Sequence, residues 1–78
     1  MDITALLETL PVSLKNSVID FAPVHTKVYG EVILVRTDRL LTDEESMELR
    51  ECERIATYGV IQKKNGTPPN NAFIAVEL

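Results

Sequence analysis

The stretch TKVYGEVILVR, residues 26–36, decides how the rest of the chain is arranged. β-branched and aromatic residues dominate it and no apolar stripe at helical spacing emerges, so it reads as one long strand. Gly30 interrupts the run and is expected to mark a bulge. Val32, Ile33, Leu34 and Val35 are apolar on both faces of the pleat, so both sides of this strand require cover.

Upstream, DITALLETL (residues 2–10) places Ile3, Leu6, Leu7 and Leu10 on one helical face, with Asp2 as N-cap and Pro11 as the stop. A second helix is expected from Ser13, with Leu14, Val18, Phe21 and Ala22 as its apolar stripe and Pro23 as its limit. Two adjacent helices raise the idea of a helix-turn-helix DNA reader. Such a reader needs basic and amide side chains on its second helix, and SLKNSVIDF offers only Lys15 and Asn16. A plain helical hairpin is the better reading.

Downstream, an acidic helix is followed by two strand candidates, YGVIQKK (58–64) and NAFIAVEL (71–78), separated by the turn-forming NGTPPNN. The order α-α-β-α-β-β predicts a single α+β domain over residues 1–78, with a three-stranded, mainly antiparallel sheet packed against helices. If the last two strands pair as a hairpin, the most apolar strand lies at an edge, where it is an aggregation risk. Three arrangements relieve this: a central position, cover by the N-terminal helices, or pairing with a second copy in a homodimer.

The acidic helix holds the surplus charge. TDEESMELRECER, residues 42–54, contains Asp43, Glu44, Glu45, Glu48, Glu51 and Glu53 against Arg50 and Arg54, a balance of −4 that equals the formal net charge of the chain. Thr42 and Glu45 have capping-box spacing, and acids in the first turn suit the helix dipole. Glu51 with Arg54, and Arg50 with Glu53, have the spacing of weak surface pairs. The helix is expected to run on toward Gly59, burying Leu49, Cys52, Ile55 and Ala56, with Glu48 awkwardly near that stripe. Met47 stands in the charged face, ringed by Glu44, Glu48 and Glu51. A methionine in such a setting is an adaptable apolar anchor within a patch that steers toward basic surfaces.

Other chemistry is sparse. One cysteine, Cys52, excludes an internal disulfide, and Cys52 with His25 is too small a set for a zinc site, so no metal and no cofactor are expected. Cys52 sits among acids, which disfavour a reactive thiolate, and reads as core packing. His25 has Asp20 and Tyr29 nearby in sequence but no catalytic constellation, and reads as a partly exposed loop residue. No glycine-rich phosphate loop is present. The net charge of −4 argues against general nucleic-acid affinity. MDITALLETL has acids where a signal peptide carries bases, and no apolar run approaches membrane length, so a soluble cytoplasmic protein is expected.

These features predict a non-enzymatic interaction module, a regulator or inhibitor that docks on a partner protein through Glu44, Met47, Glu48 and Glu51. The partner would present a basic surface such as a nucleic-acid-binding site. By analogy of form alone, phage and mobile-element products that block a host or defence complex are of this kind. The alternative is a homodimeric nucleic-acid-binding regulator using Lys63, Lys64 and the N-terminal helices. A third reading is a subunit of an enzyme complex, without activity of its own, lending His25 to a shared site.

Overall fold

The computed structural model describes Ala5, residues 8–62 and residues 69–78. Most of the first predicted helix, including Ile3, Leu6 and Leu7, lies outside them, as do Lys63, Lys64 and the Asn65–Gly66 turn. The described elements are α1 (Val12–Lys15), β1 (Val18–Thr26), β2 (Gly30–Thr37), α2 (Asp43–Glu51), β3 (Ile55–Val60) and β4 (Ala72–Glu77). They form a small α+β domain around one antiparallel sheet in the order β1-β2-β4-β3.

Residues 26–36 are not one strand: the chain reverses between Thr26 and Gly30 and pairs back on itself. The Thr26 hydroxyl donates to the Gly30 carbonyl at 3.0 Å and accepts the Tyr29 N–H at 2.9 Å. Gly30 has φ +73°, a left-handed conformation that costs glycine little, so it serves the turn rather than a bulge. The residues expected to continue the second helix supply the returning strand instead. That helix is confined to Val12–Lys15, and Val18, Phe21 and Ala22 lie in β1. Four residues are too short to act as a DNA recognition helix.

The physical reason is pairing. An apolar inner strand needs neighbours on both edges, and β1 provides the partner that a three-stranded sheet lacks. Cross-strand matching of Phe21 with Val35, and Val24 with Val32, then outweighs a helical spacing that β-branched residues support weakly. Pro23 is tolerated because β1 is an edge strand. Strand β2 lies between β1 and β4, so the Val32–Val35 run has no free edge for a second copy.

The core forms where one sheet face meets the helices. Ile33, Val35, Ile74 and Val76 pack with Leu10, Leu14 and Leu49, while Val18, Leu41, Ile55 and Tyr58 close the margins. Burying each large aliphatic side chain contributes about 1.5–3 kcal/mol. Thr37 ties the inner strands at one end. Its hydroxyl donates to the Arg39 carbonyl at 2.6 Å and accepts the Ala72 N–H at 3.2 Å, and the Asn71 amide donates to its carbonyl at 2.7 Å.

Candidate functional site

Helix α2 begins as the Thr42-x-x-Glu45 spacing requires. The Thr42 hydroxyl accepts the Glu45 N–H at 3.1 Å, and the Glu45 carboxylate accepts the Thr42 N–H at 2.9 Å, completing the capping box. The helix ends sooner than expected. Cys52, half-buried, caps it in an extended conformation (ψ 119°), and the chain turns into β3 at Ile55. Ile55 and Ala56 are therefore strand residues rather than helix stripe, and Gly59 lies inside β3 rather than stopping the helix. β-branched Ile55, Thr57 and Val60, with Tyr58, favour the strand.

Ending at Glu51 simplifies the two faces of α2. Glu45 and Leu49, four apart, point inward and are buried. Glu44, Met47, Glu48 and Glu51 follow helical spacing on the outer side, and all four are exposed, Met47 to 63%. Glu48 is thus clear of the core, contrary to the crowding expected from a longer helix.

Glu45 differs from the other acids. It is only 4% exposed, and Arg39 donates from both terminal nitrogens to its two oxygens at 2.8 and 2.7 Å. The Arg39 hydrogen bonds hold its carboxyl far below the usual carboxylate range against the opposing effect of burial, assisted by the Ser13 hydroxyl and the Thr42 N–H. Arg39 also donates to the Leu40 and Ser13 carbonyls, so this ion pair fastens α2 to the segment around α1. Six residues apart across a loop, Arg39 and Glu45 have no spacing that reveals them in sequence.

The remaining acids are left outward. Arg50 does not pair with Glu53, nor Arg54 with Glu51. Arg50 donates to the Tyr58 hydroxyl at 2.8 Å, and Arg54 to the Glu77 carbonyl at 3.0 Å. Both cations of the segment are thereby drawn toward the sheet. Among the described residues, Glu44, Glu48 and Glu51 form no ion pair or hydrogen bond through their carboxylates.

His25 lies within β1 rather than in a loop, 3.5 Å from Glu31, with both side chains well exposed. Asp20 is engaged by Arg36 across the β1–β2 ladder. On the sheet face away from the core, Leu34, Arg36, Val60, Ile61 and Phe73 line an open, mainly apolar depression of about 380 Å³ that no spacing in the sequence announced. No helix among the described residues is long and apolar enough to cross a membrane, and no three His, Cys, Asp or Glu side chains among them form a metal-binding group. Comparison with protein-family models, curated proteins and solved structures finds no match to this chain.

Proposed function

We propose that this protein is a non-enzymatic interaction module, a regulator or inhibitor that docks on a partner protein through the outer face of α2. The observation that carries the reading is the division of labour among the charges of α2 and its flank. One acid, Glu45, is spent internally on Arg39, and both local arginines are occupied by Tyr58 and Glu77. Glu44, Glu48 and Glu51 remain exposed around Met47. Such an arrangement steers association toward a basic surface, while an exposed flexible thioether gives the contact an apolar centre. A partner whose own function is to hold nucleic acid fits this chemistry.

Salt dependence tests the reading. Affinity for the partner should fall as ionic strength rises, because exposed charges are screened beyond about 8 Å at physiological salt. Affinity that is the same in low and high salt would remove electrostatic steering.

A further inference from the structure

Strand β1 is nine residues long, and seven of the nine are exposed. Of the ten exposed large apolar residues among those described, five lie on β1 and its turn: Ile19, Phe21, Val24, Val28 and Tyr29. Monomers rarely leave so much apolar surface together on one edge. The segment from Val18 to Tyr29 is also electrically quiet, with Asp20 and Lys27 as its acid and base, and Asp20 is already held by Arg36. The surplus negative charge lies away from the β1 edge, on the outer side of α2, which packs through Leu49 on β2 and β4 while Arg50 reaches Tyr58 of β3.

We propose that two copies of the chain associate through β1, edge against edge, about a two-fold axis. An antiparallel strand edge is complementary to itself under that symmetry. The combined order becomes β3-β4-β2-β1 followed by β1-β2-β4-β3 of the second copy. Each acidic helix lies over β2 and β4 of its own copy, so three to five strand spacings, about 14–24 Å, separate the two helices, roughly two to three screening lengths that weaken their repulsion. A two-fold contact uses β1 of both copies, so the assembly closes at two.

Two features shape the contact. The register shift between Val18 and Asp20, and Pro23, interrupt the outer backbone edge, so a continuous ladder along all of β1 is not formed. Side-chain packing by Phe21, Val24 and Val28 therefore carries much of the contact. An edge about 30 Å long gives an interface at the small end of specific contacts, so the association is weak and reversible. This inference does not depend on the docking role of α2.

Sedimentation equilibrium from low micromolar to millimolar concentration tests it. The average mass of the wild-type chain should rise from one copy to two, and Phe21→Lys with Val24→Lys should move the midpoint at least tenfold higher. Val28→Lys, at a turn position 82% exposed, is the companion variant should the double variant unfold by circular dichroism, and it should shift the midpoint the same way. Glu48→Lys should leave it unchanged. A wild-type chain that stays single at millimolar concentration would overturn the inference, as would β1 variants that keep the wild-type midpoint.

Discussion

Arg39 holds both carboxylate oxygens of Glu45, and it does so at the one acid of α2 that is removed from water. Replacing Arg39 by alanine leaves a buried carboxylate with only Ser13 and Thr42 as partners. The expected loss is about 3 kcal/mol, toward the lower end for breaking a buried pair because the Arg39 side chain is 37% exposed. Glu45→Gln strands an arginine that water can still reach, so it should cost less. Urea unfolding of both variants gives the comparison, and equal losses would mean that burial of Glu45 is not the source of the asymmetry.

The same pair sets an acid limit. The folded carboxyl of Glu45 titrates well below its ordinary value of 4.5, so its contribution is fully present above that pH. The contribution is lost progressively as pH falls below about 4.5 toward the folded value, where the native state finally takes up the proton. Thermal melts from neutral to acidic pH should therefore show the wild-type midpoint falling more steeply below pH 4.5 than that of Glu45→Gln. Parallel acid limbs would assign the loss to other carboxylates.

Gly59 lies opposite Phe73 in the β3–β4 ladder, and a methyl group there would come within 3.0 Å of the Phe73 ring. Gly59→Ala pushes on the outer end of the Phe73 ring, which borders an open depression and can shift, so the cost should stay below about 1 kcal/mol. Adding Phe73→Leu should recover part of the loss. Two losses that simply add in a double-mutant cycle would show that the ring and the glycine are not coupled.

Gly30→Ala should cost about 1 kcal/mol, because the left-handed backbone at φ +73° is strained for alanine although nothing crowds a Cβ there. Gly30→Asn should be milder, since asparagine tolerates this region better. Chemical denaturation curves that rank asparagine below alanine would contradict the turn geometry.

The chain displayed some of this in advance and concealed the rest for definable reasons. The Thr42–Glu45 cap and the final strand were legible because local hydrogen bonding and β-branched content suffice to specify them. The buried Val32–Val35 run was legible as a covered strand. Its neighbour β1 was not, because Leu14, Val18, Phe21 and Ala22 also fit a helical period, and only pairing with β2 settles the ambiguity. The reversal at Thr26–Gly30 uses a threonine side chain and a single glycine in place of a strong turn dipeptide. The end of α2 was overshot because Cys52 terminates it without the glycine that commonly marks a C-terminus. Of the candidate residues on α2, Met47 and Glu51 could be placed opposite the buried stripe from spacing, whereas Glu48 was expected near that stripe and is clear of it because the helix ends at Glu51. The internal use of Glu45, and the turning of Arg50 and Arg54 toward the sheet, depend on tertiary contacts that spacing does not encode.

Affinity capture from the native host, comparing the wild-type chain with Glu44→Lys/Glu51→Lys, tests the docking role most directly. The wild-type chain should retain a protein with a basic surface, and the double variant should lose it while keeping its melting midpoint. Retention of the same protein by both chains would show that the outer face of α2 is only a solvated helix surface.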